Sequence, residues 1–506
     1  MVPLEHESDL EVLRRKAQLL EYENARLHRR LQELTAELAR LRGQDAGRLQ
    51  LELNLLQDLL ARREHALFGD SSEKRPRPEP GLEPPVSPPP RRGHGPREQP
   101  NLPVVEAFHE LPPEDRACPV CGGTLEAMGE QTEDRDEITV IERKFVVVRQ
   151  RRRKYRCRCN ACVVTAPAPP QLQPGARYSP ELAVEVAVAK YADHLPLERQ
   201  VQMMAREGLR IDTQTLFDQT SVLARHLQPS ADALGRHVLT ASVVHADETY
   251  WRLLNGQEVK RWWVWAVASE EAIAYRFLDS RSQASARTVL DGYAGTVLVD
   301  GYSAYTALQK AGGAFQLAHC WAHVRRKVTE CLETFPVEAN ELLARIGQLY
   351  AIEREVPRAG PDASATERAE RLALRQQLRQ ERSRPVVADL RAWAEAQRVL
   401  PESGLGRALA YLLGLWDGLV RFLDDPAIPL DNNAVERGLR GVVLGRKNHL
   451  GSKSRRGMEV AAVLYTLIES AKLVGVEPRA YLLRALHAAL AVPGTVTLPS
   501  SLPVRS

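Results

Sequence analysis

Three carboxylates stand in settings that could bind metal and do chemistry. In Val243-Val244-His245-Ala246-Asp247-Glu248-Thr249-Tyr250-Trp251, two β-branched residues lead into an acidic pair and aromatics follow. A buried strand that delivers a carboxylate to the rim of a sheet reads this way. Thr296-Val297-Leu298-Val299-Asp300-Gly301-Tyr302 repeats the device. Leu430-Asp431-Asn432-Asn433-Ala434-Val435-Glu436-Arg437 opens a predicted helix, with Asp431 as its N-cap and Glu436 one turn inside. Carboxylates from three separate elements suit hard divalent cations, which prefer oxygen ligands. For any one Asp or Glu, a helix cap or a surface ion pair is the commoner use. Only the strand, strand, helix arrangement lifts these three above it.

The elements that must position them can be read around the motifs. Residues 240–254, 259–269 and 272–280 look like three consecutive antiparallel strands. A helix near 283–293, a strand at 295–300, a helix at 303–311, a short strand at 314–319 and a helix at 321–332 follow. That order predicts an α/β core with a central mixed sheet. Residues 336–425 are charged and helical, with a break at Pro357-Arg358-Ala359-Gly360-Pro361, and read as an insertion before the last acidic motif. Upstream, Ser179-Pro180 starts one helix, Gly208 stops a second and Asp212 caps a third. A helix, a short turn and a capped helix is the helix-turn-helix pattern, which ordinary helical hairpins share.

Leucine recurs every seven positions at Leu13, Leu20, Leu27, Leu34 and Leu41, with Leu10, Ala17, Asn24, Leu31 and Leu38 at the other seam position. This is a coiled-coil seam whose single Asn favours two strands in register. The pairs Asp9 with Arg14, Lys16 with Glu21 and Glu37 with Arg42 would attract across a parallel homodimer. A second helical stretch follows, and then a Pro- and Arg-rich linker at 76–103. Five of seven cysteines, Cys118, Cys121, Cys157, Cys159 and Cys162, fall in one segment, and two cysteine pairs with a β-rich spacer suit a tetrahedral structural Zn²⁺ site. Cys118, Cys121 and Cys162 are expected ligands; Cys159 is preferred to Cys157 as the fourth because it completes a second C-x-x-C.

The net charge of +4 is too small to argue from, but its distribution is informative. Nine Lys or Arg lie between Arg143 and Arg158, and seven between Arg437 and Arg456, with no acid in either run. Such runs suit phosphate backbones, although one alone is more often a solvated face. No apolar run is long enough to span a membrane, and the amino terminus lacks the pattern of a secretory signal, so a cytoplasmic, nucleoid-associated location is expected.

Together these motifs resemble the insertion-sequence-66 family of transposases, within the DDE superfamily. The resemblance rests on the zipper, Leu67-Phe68-Gly69-Asp70-Ser71-Ser72-Glu73-Lys74, the cysteine module, the helical segment and the three acidic motifs, the last running on to Gly445-Arg446-Lys447-Asn448. It departs at Arg446-Lys447-Asn448-His449-Leu450-Gly451-Ser452, where the family usually has an aromatic after Asn and a longer turn. The resemblance implies a multidomain α/β protein with a ribonuclease H-like mixed-sheet core. Its expected parts are a coiled coil at 8–75, the linker, a zinc-binding module at 104–170, a helical DNA-binding segment at 177–232, a catalytic domain at 240–460 holding the helical insertion, and a helical end at 461–490. It also implies Asp247, Asp300 and Glu436 as ligands of two Mg²⁺ or Mn²⁺ ions. Arg326, Arg437, Arg440, Arg446 and Lys447 are expected to hold DNA, with His319 and His323 supporting the active site. Element-encoded accessory proteins are further expected partners. Two alternatives share these features: a metal-dependent nuclease without strand transfer, and a zinc-and-zipper DNA-binding regulator with an inactive core.

Overall fold

A computed structural model describes residues 26, 29, 30, 33, 144–156, 163–255, 258–357 and 363–502. The chain divides into two compact units, Asp70–Lys144 and the remainder, and the elements below belong to the larger. Of the expected zipper only Arg26, Arg29, Arg30 and Glu33 are described, and these are helical. Cys118, Cys121, Cys157, Cys159 and Cys162 lie outside the described residues. Short strands β1 (Lys154–Arg156) and β2 (Val163–Thr165) pair antiparallel on either side of the second cysteine group.

Helices α1 (Pro180–Tyr191), α2 (Leu197–Arg206) and α3 (Thr213–Val238) begin where local chemistry starts them. Ser179 caps α1 by accepting from the Leu182 amide at 3.3 Å, and Asp212 caps α3 by accepting from Thr215 at 2.7 Å. Gly208, at φ +87°, turns the chain between α2 and α3. The sheet follows. Strands β3 (Val243–Asn255), β4 (Glu258–Ala268) and β5 (Ile273–Leu278) form an antiparallel meander. Then come α4 (Gln283–Val289), β6 (Thr296–Val299), α5 (Ser303–Lys310), β7 (Gln316–His319) and α6 (Trp321–Thr329). The five strands lie in the order β5-β4-β3-β6-β7, with β3, β6 and β7 parallel. β6 is buried along its whole length, as its Val297-Leu298-Val299 run requires.

After α6 the chain makes the inserted helices α7 (Pro336–Glu353), α8 (Ala365–Leu378), α9 (Arg384–Ala396), α10 (Gly404–Gly414) and the single turn α11 (Trp416–Leu419). It returns to the sheet with α12 (Asn433–His449), α13 (Arg455–Leu473) and α14 (Pro478–Ala491). Among the described residues a small apolar cluster joins α1, α2 and the start of α3, and two larger ones divide the rest of the work. One joins the sheet to α1, α3, α12, α13 and α14; the other packs Leu298, Ala318 and the apolar side of α6 against the insertion. The boundaries expected at 232 and 460 fall inside α3 and α13. Both helices run on because Leu234, Val238, Ala461 and Leu464 close the same cluster as the strands. No helix among the described residues is long and apolar enough to cross a membrane.

The insertion has its own polar knot. Arg379, in a π-helical turn (Arg379–Ser383), is fully buried. It donates to Glu353 at 2.6 and 3.0 Å and to the carbonyls of Phe422, Asp425 and Ile428 at 2.7–3.1 Å. Arg375 adds a second cation to Glu353 at 2.7 Å. Arg379→Met leaves that carboxylate with Arg375 alone and strands three buried carbonyls, so the expected loss is about 3–5 kcal/mol by urea unfolding. A change below about 1 kcal/mol would show that the knot is dispensable.

Candidate active site

The pairing of β3 with β6 sets the first two carboxylates side by side. His245 stands opposite Leu298 in the parallel register, so two residues further along each chain come Asp247 and Asp300. Parallel strands lie about 4.8 Å apart, so the two acids project from neighbouring positions. β6 ends at Val299, and Asp300 is held by the turn that follows. Its Oδ1 accepts from the amides of Gly301 at 2.9 Å and Tyr302 at 2.8 Å. Gly301 has φ +137°, and a Cβ there would meet Leu415 at 2.6 Å and the Tyr411 hydroxyl at 2.9 Å. That hydroxyl donates to the Asp300 carbonyl at 3.1 Å, tying the turn to α10.

Helix α12 brings the third acid along the same side of β3. The Asn432 amide donates to the Ala246 carbonyl at 2.9 Å, and its Oδ1 lies 2.9 Å from His245 Nδ1. Its backbone N–H reaches Cys320 Sγ at 3.2 Å. Fourteen residues on, Arg446 bonds Thr249 Oγ1 at 3.0 Å and the Tyr250 carbonyl. Between these anchors Glu436 lies near enough to Asp247 for its charge to add to the raised pKa of that carboxyl. The N-cap expected at Asp431 is corrected here: Asn432 occupies that position, and its side chain is taken by β3 instead of capping. Asp431 accepts from the Asn433 amide at 3.2 Å, a turn contact one residue earlier.

The charges register the convergence. Burial first, then the charges of Glu248, Asp300 and Glu436, push the Asp247 carboxyl up to about 8. Glu248 leaves by the other face of the strand, where Arg281 donates to it at 2.5 Å and Tyr305 at 2.7 Å. Burial raises its pKa even though both partners pull the other way. Beside Glu436 lies His323, with Nδ1 3.8 Å from Oε1, too long for a hydrogen bond. Both atoms are buried without a hydrogen-bond partner, as is His319 Nδ1. Burial lowers both imidazoles, His319 to about 4, while Asp300 opposes the shift in each. Cys320 Sγ, a His323 nitrogen and a Glu436 oxygen lie within 4.8 Å of one another. Orphaned donors and mutually repelling acids are what a divalent cation would satisfy, so the residues present fit one.

The expected DNA-holding residues divide. Arg326, Arg437, Arg440 and Lys447 are exposed. Arg446 is half-buried and stacks on Tyr250 with its guanidinium carbon 3.7 Å from the ring centroid. Reading the residues alone missed Asn432 as the clamp and Arg281 and Tyr305 as partners of Glu248. The unbroken Asp431-Asn432-Asn433 run was the one available signal for the first.

Two outcomes follow from this geometry. Because the folded-state pKa of Asp247 lies above its ordinary 3.8, the native chain keeps a proton that the unfolded chain loses between about pH 4 and pH 8. Stability without divalent cations therefore falls as pH rises through that window. Asp247→Asn removes this slope, so at pH 8 without cations it should melt above the wild type, while added Mg²⁺ raises the wild type more. A lower melting temperature for the variant would count against the cluster. Asn432→Ala leaves His245 and the Ala246 carbonyl unpaired, and should cost about 1–3 kcal/mol in urea unfolding; an unchanged midpoint would remove its clamp role.

Comparison with known proteins identifies the family. The family model described as "Transposase IS66 family" matches residues 175–460, and that of the "zinc-finger binding domain of transposase IS66" matches 115–160. The second match includes Cys118, Cys121, Cys157 and Cys159 and ends before Cys162. Three relatives are uncharacterized proteins of Sinorhizobium fredii (strain NBRC 101917 / NGR234). One, y4jD, is 35% identical over 407 residues, covering 76% of this chain and 77% of the relative. A second, y4qI, is 35% identical, covering 70% and 68%, and a third, y4hP, is 30% identical, covering 72% and 69%. With a family model spanning more than half of its length, the chain belongs to the IS66 transposase family.

Proposed function

We propose that this chain is the transposase of an insertion sequence, cleaving and joining DNA strands at Asp247, Asp300 and Glu436. The observation that carries the reading is the β3–β6 register, which sets two aspartates side by side under the charge of a helix-borne glutamate. The strand order and its antiparallel-then-parallel pairing agree with a ribonuclease H-like core. A pair of Mg²⁺ or Mn²⁺ ions, when bound, would activate the attacking oxygen and stabilise the leaving one. The three carboxylates supply the oxygen ligands, and Asp300 is pre-set by its two amide bonds.

His323, neutral near pH 7 because burial lowers it, offers a nitrogen beside Glu436 without adding positive charge to the cluster. His319 sits close against Gly418 of α11, where a Cβ would lie 2.3 Å from its ring, so the insertion fixes that imidazole beside Asp300. Water attacks phosphorus first and breaks its bond to the 3′ oxygen, which leaves as a 3′-hydroxyl; that hydroxyl then attacks a phosphodiester of the target strand, and the 3′ oxygen of the target leaves. Arg326, Arg437, Arg440 and Lys447 hold the backbone, and Arg446 braces α12 as it does so. A zinc ion held by Cys118, Cys121, Cys159 and Cys162, with Cys157 the competing ligand, orders the DNA-binding module. A parallel zipper pairs two chains, acting with accessory proteins of the element on cytoplasmic DNA.

A cleavage and strand-transfer assay on DNA carrying the element ends tests this reading. Asp247→Asn, Asp300→Asn and Glu436→Gln should each lower both steps on the order of 10³-fold with DNA binding retained. Removal of divalent cations should do the same. Full activity in any of the three would refute the assignment, and cleavage without joining would favour a nuclease.

A further inference from the structure

Beyond the paired part of the sheet, β3 and β4 continue as a two-stranded ribbon. β6 pairs with β3 only at residues 243–245, and β5 pairs with β4 only from Trp263 onward. The ribbon's outer half is therefore free of sheet neighbours, apart from a bridge from Leu253 to Ser452. Arg252 and Arg261 are direct cross-strand partners there, and both are exposed. Like charges facing each other across a ribbon are unfavourable. Among the described residues no carboxylate pairs with either.

Aromatic rings hold one of these cations in place. The Arg261 guanidinium lies 5.5 Å from the Tyr250 ring centroid and 5.9 Å from that of Trp263. The series continues at both ends. Arg281 sits 5.2 Å from Trp263 and 3.7 Å from Tyr302, whose amide binds Asp300; Arg446 of α12 covers Tyr250. Arg281 and Arg446 are committed to protein partners, Glu248 and Thr249. Arg261 and Arg252 have donor forks to offer, and a guanidinium steadied by a ring loses little freedom when it takes a phosphate in two bonds.

We infer that the β3–β4 ribbon grips the phosphate backbone of duplex DNA through Arg252 and Arg261, the exposed cross-strand pair of its outer half. The inference rests on the transposase reading and adds a contact surface to it. Its chain of ring contacts reaches Tyr302, so a backbone gripped there is held in fixed relation to the Asp300 turn.

The test is fluorescence anisotropy of the full chain with a labelled duplex of arbitrary sequence, over a salt series. Loss of two phosphate contacts in R252A/R261A should lower the slope of log K against log salt by about two units and weaken binding about tenfold at moderate salt. R252K/R261K keeps the charges and should keep a slope near that of the wild type, which separates a lost contact from a lost fold. Arg484→Ala, removing one exposed charge on α14, should leave the slope within about one unit. A wild-type slope in R252A/R261A, or an equal fall in Arg484→Ala, overturns the ribbon assignment while the transposase reading stands. A wild-type chain that does not bind duplex DNA overturns both.

Discussion

Parallel pairing between β3 and β6 is the constraint from which the site is built. A shift of one residue would turn Asp247 to the opposite face or carry it past Asp300, and the convergence would be lost. The register is therefore held from both sides. Val244, Val297 and Val299 pack into one apolar cluster, and Leu298 with Ala318 into the other. The arrangement buries Asp247 and brings other acids near it, and burial first, then their repulsion, raises its pKa. Elsewhere the fold supplies the compensating free energy, through burial on both faces of the sheet.

Helix α12 is where backbone geometry and chemistry meet. It is fastened at one end by Asn432 and at the other by Arg446, both to β3. Glu436 has no anchor of its own near the acids, and its Oε1 is left without a hydrogen bond. A carboxylate held by its helix but not by partners is suited to a ligand role, because no bond must break when a cation arrives. The insertion completes the setting: Gly418 and Tyr411 approach from its last helices to fix His319 and the Asp300 turn. Its polar knot at Arg379 keeps those helices in one arrangement at some distance from the chemistry.

Cations on this surface serve two ends. Arg281 and Arg446 neutralise or brace groups of the protein, while Arg252 and Arg261 face solvent across the ribbon. The basic run after Glu436 thus mixes structural and exposed charges, which a count of Lys and Arg along the chain does not separate.

Much of the fold was legible because it depends on near neighbours. The caps at Ser179 and Asp212, the turn at Gly208, the apolar run of β6 and the alternation of strands and helices from 243 to 329 follow from contacts within a few residues. The types and settings of Asp247, Asp300 and Glu436 were legible for the same reason. What only tertiary structure decided lies farther apart in the chain. Asn432, and not Asp431, became the N-cap residue because its side chain was claimed by His245 and Ala246, nearly two hundred residues away. Arg446 became a brace because β3 passes beneath it, and α3 and α13 outran their expected boundaries because the sheet needed covering. Residue type and spacing determined which groups could do chemistry. The pairing of distant strands, which no local pattern encodes, decided that they stand together.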